Sequence, residues 1–315
     1  MPFDTDKTPK RVIEAAKQRN LVPLVGAGIS RQAGDAFPNW IELLKFMKQR
    51  ALAGDFITEK EAQEMDLLLA DGKLLMVAEA LRTSLPPDEY ESILEEKFRP
   101  LGVKPAKIHT ALFRLRPPLI LTTNYDLLLE DAYAYEYEQA PNVYTYRDAP
   151  VVQRSLQTSR LTERPVIFKL HGSIDEPSEL ILSERDYRRL IYQQTGYRSL
   201  LSALFITHVV VMLGFSFSDR ELMLLLETLR ESLKHRNNPD FIFLPSDAAG
   251  KVEARRLRED FGIQVIPYEP SEGHQEVLQF VNFLITQMGG EIVAPDPPKL
   301  RPVRSARRIR RKAKG

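Results

Sequence analysis

Gly26, Ala27, Gly28 and Ser30 follow directly on an apolar run at 21–25, in the order Val25-Gly26-Ala27-Gly28-Ile29-Ser30. Glycines at a strand end permit a turn too tight for a Cβ and let backbone N–H groups approach a diphosphate. The strict dinucleotide fingerprint would place a third glycine at position 31, but Arg31 stands there and the next glycine is Gly34. No ribose-binding acid is recognisable about 20 residues further on. The stretch is therefore a phosphate loop unlike that of a dehydrogenase, or else a plain strand-to-helix turn. A second run ends in Leu121-Thr122-Thr123-Asn124-Tyr125-Asp126. Polar groups beside a buried strand are costly unless bonded. Asn124 is expected to face a crevice, and Asp126 either supports it or caps the following helix. A third run ends in Phe168-Lys169-Leu170-His171-Gly172-Ser173. A lone histidine is commonly structural, but one at a strand end is placed for proton transfer, and Gly172 would leave room for a ligand beside it. The fourth, Leu213-Gly214-Phe215-Ser216-Phe217-Ser218-Asp219, would bring the Gly214 backbone and the Ser216 hydroxyl to the same rim. It could equally be a glycine turn with Ser218 or Asp219 as a helix cap. Leu182-Ser183-Glu184-Arg185-Asp186-Tyr187 is weaker and reads as a helix start capped by Ser183. Each stretch alone is explained as a turn. Four of them at strand ends of one sheet are expected to line one crevice, because ligands of open α/β sheets bind beyond the carboxyl ends of the strands.

The elements that must carry these residues follow from the apolar pattern. Short continuous apolar runs predict strands at 21–25, 119–122, 166–170, 209–213, 241–244 and 264–267, with a further short one at 179–182. Helical spacing fills most of the chain between them, including 58–98, which is punctuated by Asp71-Gly72 and Pro86-Pro87. The aromatic-rich stretch 133–146 reads as irregular. Strands alternating with helices predict an α/β fold, a Rossmann-like doubly wound parallel sheet with a helical insertion. The expected division is a domain over 1–288, its insertion at about 39–115, and a linker and basic tail over 289–315 that is disordered alone.

Composition narrows the chemistry. The chain has 315 residues, 44 Lys+Arg, 43 Asp+Glu and no cysteine. A disulfide framework, a thiol nucleophile and every cysteine-based zinc site are excluded, and no metal is expected. Nine basic residues and no acid lie in 299–315, so the formal +1 of the whole leaves about −8 on residues 1–298. That tail is either solvated or in contact with an acidic partner. The N-terminus lacks an apolar targeting segment, and the run 200–217 is interrupted by Ser202, Thr207, His208 and Ser216. A membrane span is not expected and a cytoplasmic protein is.

The set of motifs resembles the sirtuin superfamily: Gly26 to Ser30, then Thr123-Asn124-Tyr125-Asp126, then His171-Gly172, then Gly214-Phe215-Ser216. The similarity is to the bacterial sirtuin-like domain of anti-phage defence systems, including NAD-degrading partners of HerA-type DNA translocases and of short prokaryotic argonautes. It covers roughly residues 20–285. Two features depart from the deacylases of that superfamily. The four-cysteine zinc module is impossible here, and 33–40 lacks the arginine of an Asp-Phe-Arg element. The resemblance implies cleavage of the nicotinamide–ribose bond of NAD+, with Asn124 and His171 as the catalytic pair. It implies Gly26, Ala27, Gly28 and Ser30 around the diphosphate, Gly214 and Ser216 near the adenosine half, and Asp126 behind Asn124. It also implies a homo-oligomer and a HerA-type ATPase partner. The alternatives are an ADP-ribosyl transferase or deacylase, or a catalytically silent nucleotide-binding scaffold assembling with a motor ATPase.

Overall fold

Seven parallel strands form one sheet in the order β3-β4-β2-β1-β5-β6-β7. They are β1 Leu21–Val25, β2 Ile120–Thr122, β3 Asn142–Thr145, β4 Val166–Lys169, β5 Val209–Leu213, β6 Asp240–Pro245 and β7 Ile263–Tyr268. This computed structural model describes residues 3–157, 164–215, 223, 225–227, 229, 239–248 and 250–294. Ser216, most of the helix expected from residue 221 and the basic tail lie outside the described residues. Among the described residues no helix is long and apolar enough to cross a membrane.

β1 and β5 are buried along their whole length, as five consecutive apolar residues require of central strands covered on both faces. Pro23 is tolerated in the middle of β1 for a specific reason. Gly26 N–H donates to the Leu213 carbonyl, and Val209 N–H donates to the Asn20 carbonyl. Even-numbered residues of β1 therefore face β5 and odd-numbered ones face β2. The ladder to β2 begins only at Leu24, so the missing Pro23 N–H interrupts no pairing.

Alternate strand residues feed two cores. One face is covered by α1 Lys10–Lys17, α7 Lys107–Arg114, α8 Leu128–Tyr137 and α13 Gln275–Gln287. The other is covered by α9 Ala149–Gln157, α10 Glu184–Gln193, α11 Thr195–Thr207 and α12 Lys251–Phe261. Between β1 and α7 the chain makes a short turn of helix, α2 Ala27–Ser30, and then the insertion: α3 Trp40–Ala53, α4 Glu59–Ala70, α5 Leu74–Ser84 and α6 Pro87–Phe98. Asn39 and Thr58 open α3 and α4 with capping boxes completed by Glu42 and Glu61, and Pro87 opens α6 at its first position. These four helices share a third core with Tyr125, Ile174, Leu180 and Leu182. The sequence reading extended the insertion to 115, but α7 packs on the sheet.

Two other expectations are corrected. Residues 180–182 form no strand. A turn of 3₁₀ helix at Pro177–Glu179 precedes them; Leu180 and Leu182 are buried in the insertion core and Ile181 in the core on the sheet face. The seventh strand is instead β3, inside the stretch read as irregular. It is an edge strand, only partly buried, and so lacks the continuous apolar run.

His109 on α7 is 1% exposed, and its Nδ1 accepts the Ala106 N–H at 3.1 Å. Burial holds the imidazole below its ordinary pKa of 6.5, with the Asp126 charge opposing. The unfolded chain then binds the proton first, so stability is full above about pH 6.5 and falls as the pH drops toward the folded value. His208, lowered by burial, acts in the same direction. Urea denaturation of His109→Gln between about pH 7.5 and 5 is expected to show a shallower loss of stability with acidification than the unchanged chain.

Candidate active site

The loops after β1, β2, β4 and β5 leave the same edge of the sheet from four adjacent strands. β1 connects to β2 on one side and the chain returns as β5 on the other, so the glycine-rich loop sits at the topological switch point where such sheets bind ligands. The glycines act there by their lack of bulk. A Cβ on Gly28 would lie 2.8 Å from the Gly214 carbonyl oxygen, and one on Gly26 would lie 2.6 Å from the Phe215 ring. Gly214 has a φ of +73°, which L side chains rarely adopt. The N–H groups of Gly26 and Gly28 donate to the Leu213 and Gly214 carbonyls at 2.9 Å each. What these two glycines contribute is close approach of two loops rather than free donors.

Asn124 is held by a chain of bonds that begins in the strands. The Thr122 hydroxyl donates to the Val25 carbonyl at 3.1 Å and accepts the Asn124 N–H at 3.0 Å. The Asn124 carboxamide donates one hydrogen to the Gly26 carbonyl at 3.0 Å and the other to Ser30 Oγ at 2.8 Å. A carbonyl can only accept, which fixes the amide orientation and leaves Oδ1 as the group Asn124 can offer a ligand. Ser30 Oγ in turn donates to Asp126 Oδ2 at 2.6 Å, and Asp126 Oδ1 accepts the Leu128 N–H at 3.0 Å. Asp126 thus caps α8 and supports Asn124 through Ser30. Ser30, expected beside a diphosphate, is 2% exposed and its hydroxyl is engaged between Asn124 and Asp126.

His171 leaves the neighbouring strand at the matching position. Thr122 pairs with Lys169, and Asn124 and His171 each lie two residues further on. The imidazole is 1% exposed and packs edge-on against Tyr187, ring centroids 5.3 Å apart. Tyr187 lies 6.5 Å from Trp40, at the mouth of the insertion. The helix carrying Tyr187 is capped by Ser183, as its sequence predicts, and Arg82 of α5 pairs with its Asp186 at 2.8 Å. The insertion is thereby tied to the element that backs the histidine. The space beside Gly172 is taken by protein: a Cβ there would meet the Glu179 carbonyl oxygen at 3.0 Å.

Lys169, 1% exposed, had no role in the sequence reading. Its Nζ donates to the Asp126 carbonyl at 2.6 Å, the Tyr125 carbonyl at 3.3 Å and Glu130 Oε1 at 2.7 Å. Burial raises the Glu130 pKa and the Lys169 ammonium opposes it. Lys169, Tyr187, Trp40 and Thr122 were all missed. A lysine inside an apolar strand was the one available signal, since a buried ammonium demands several acceptors. Among the described residues no cluster of three or more His, Asp or Glu is placed to hold a metal ion.

A parallel sheet with a glycine-rich switch-point loop, an Asn-x-Asp loop and a His-Gly strand end is the arrangement of an open α/β domain with its site at the carboxyl edge. Residues 118–266, a span that starts after the glycine-rich loop, match the family model of a SIR2-like domain. It is 26% identical over 255 residues to NAD(+) hydrolase ThsA of Bacillus cereus (strain MSX-D12), covering 79% of this chain and 47% of the relative. It is 26% identical over 240 residues to NAD(+) hydrolase ThsA of Enterococcus faecium, covering 75% and 45%. It is 20% identical over 261 residues to Defense-associated sirtuin 2 of Bacillus subtilis, covering 82% and 24%. The chain spans just under half the length of the two hydrolases and about a quarter of the third.

The hydrogen-bond chain sets an order of sensitivity. Ser30→Ala leaves a buried carboxylate oxygen and an amide hydrogen without their partner, an expected loss of about 1–3 kcal/mol in urea denaturation. Gly28→Ala forces backbone against backbone and is expected to lower the denaturation midpoint further. A Ser30→Ala midpoint equal to that of the unchanged chain would show that Asp126 is satisfied without the serine.

Proposed function

We propose that this chain is an NAD+ glycohydrolase acting in anti-phage defence. The observation that carries the reading is the Asn124 carboxamide, fixed by Gly26 and Ser30 at the switch point of a SIR2-like domain, one strand from His171. The names of the relatives support it.

The bond that breaks joins ribose C1′ to the pyridinium nitrogen of nicotinamide. Its electron pair passes to that nitrogen, and nicotinamide leaves neutral without needing a general acid. The ribose carbon develops oxocarbenium character, as in glycoside cleavage, and a water oxygen bonds to it. Asn124 Oδ1, an acceptor held rigidly, orients a ribose hydroxyl or that water. His171 takes the proton the water loses. Gly26, Ala27, Gly28 and Gly214 form the wall along which the dinucleotide lies; Ser216, outside the described residues, is assigned to the adenosine half by the resemblance alone. Ser30 and Asp126 act behind Asn124 as positioning residues. The products are nicotinamide, ADP-ribose and a proton.

Homo-oligomerisation and a HerA-type ATPase partner belong to the same proposal and rest on the resemblance alone. Deleting 299–315 and following assembly by light scattering tests whether the tail takes part.

Incubation with NAD+ followed by chromatography is expected to give nicotinamide and free ADP-ribose in equal amounts. Asn124→Ala and His171→Ala are each expected to reduce turnover by about 100-fold or more while the far-ultraviolet circular dichroism is retained. Label transferred to protein would instead indicate an ADP-ribosyl transferase. Absence of turnover in every assembly state would leave a nucleotide-binding scaffold.

A further inference from the structure

At the opposite edge of the sheet, where strands begin, lies a cavity of about 760 Å³. Its lining includes Arg19, Arg116 and Arg164, with Tyr133, Tyr137 and Phe113 contributing ring surface. The three arginines stand just before β1, β2 and β4, which are adjacent in the sheet, so the fold sets them in one row. Among the described residues none of the three is paired with a carboxylate, whereas the nearby Arg114 is paired with Glu136 at 2.5 Å.

The backbone supplies a second, independent observation. Arg19 ends α1 at a φ of +54° and Arg116 ends α7 at +47°. Arg19 N–H donates to the Ala16 carbonyl and Asn20 N–H to the Ala15 carbonyl, while Arg116 N–H donates to the Phe113 carbonyl. This is the helix-ending motif in which glycine is the favoured residue, because an L side chain strains the left-handed conformation. Two of the helices that end at this cavity, α1 and α7, carry arginine at the position that stability alone would give to glycine.

We propose that the cavity is a binding site for an anionic ligand bearing an aromatic ring, the chemistry of a nucleoside phosphate. The volume is that of a small-molecule site. Guanidinium groups match phosphate oxygens in a planar fork, and the tyrosine and phenylalanine rings offer a surface for a base. Among the described residues no acid lines the cavity, although the body of the chain is acidic overall, so an anion finds its favourable potential there. The site lies across the sheet from Asn124 and His171 and does not depend on the proposed reaction.

The test uses the full chain with ADP as probe, followed by calorimetry, with adenosine and inorganic pyrophosphate as separate arms. ADP is expected to bind saturably, and adenosine and pyrophosphate each at least about tenfold more weakly. In the Asn124→Ala background, ADP binding is expected to persist in the presence of NAD+. Arg19→Gly with Arg116→Gly is expected to weaken ADP binding at least about tenfold while leaving the melting temperature unchanged or higher, since glycine relieves both helix ends. Arg164→Gln, at an ordinary backbone position, is expected to weaken binding without touching either helix. Pyrophosphate binding as well as ADP would overturn the ring requirement. Unchanged ADP affinity in both arginine variants, displacement of ADP by NAD+, or no saturable binding up to about 1 mM ADP would overturn the site.

Discussion

A buried ammonium sets the path of the loop on which the site is built. Lys169 sits in a strand among Val166, Ile167 and Phe168, all fully buried, where an unpaired charge would be prohibitive. The nearby carboxylate Glu130 and two backbone carbonyls, those of Tyr125 and Asp126, satisfy it. Carbonyls can meet an ammonium only if the chain between β2 and α8 bends over the end of β4. That bend is what brings the Asn124 amide to the Gly26 carbonyl and the Asp126 carboxylate to Ser30. The catalytic geometry proposed for Asn124 is thus a consequence of neutralising a charge that never touches substrate.

The glycine loop imposes the complementary constraint. Gly28 and Gly214 pack backbone on backbone, which sets how close the ends of β1 and β5 come and how the short helix carrying Ser30 is aimed. One end of the Asn124–Ser30–Asp126 chain is anchored by this contact and the other by Lys169. Between them the amide has no rotational freedom left, and its oxygen is the exposed function. An acceptor fixed in this way suits a hydroxyl or a water, and would repel a phosphate oxygen. In the proposed reading the phosphate side of the dinucleotide lies further along the loop, toward Ala27 and Gly214.

Legibility in the sequence followed burial. β1 and β5 could be delimited to the residue because five apolar side chains in a row leave a central parallel strand as the simple reading. β3 could not, since Asn142, Tyr144 and Thr145 are only half-buried and Val143 is exposed at an edge. The apolar 180–182 looks like a strand because a segment buried between a helical insertion and the core on the sheet face leaves the same local trace as a buried strand. The site divided in the same way. Asn124, His171 and the glycines stood out because polar or tiny residues at strand ends conflict with local burial. Ser30 was read as a phosphate contact, although its hydroxyl is spent inside the protein on partners more than 90 residues away in sequence. Such a role is set by which loops the sheet order makes neighbours, and that order is absent from any single stretch of chain.

The two edges of the sheet carry opposite exceptions to stability. At the carboxyl edge, glycines occupy positions where larger side chains would collide, and polar residues are buried at the cost of complete bonding. At the amino edge, arginines occupy helix ends where glycine would relieve strain, and their charges are left without carboxylate partners among the described residues. The first pattern is what close loop packing needs and is self-consistent within the fold. The second is not explained by anything the fold itself gains. Arg19, Arg116 and Arg164 are exposed and hydrated, so their charge costs the fold little; the strain at the two helix ends is the part of the amino edge that the proposed ligand site would account for.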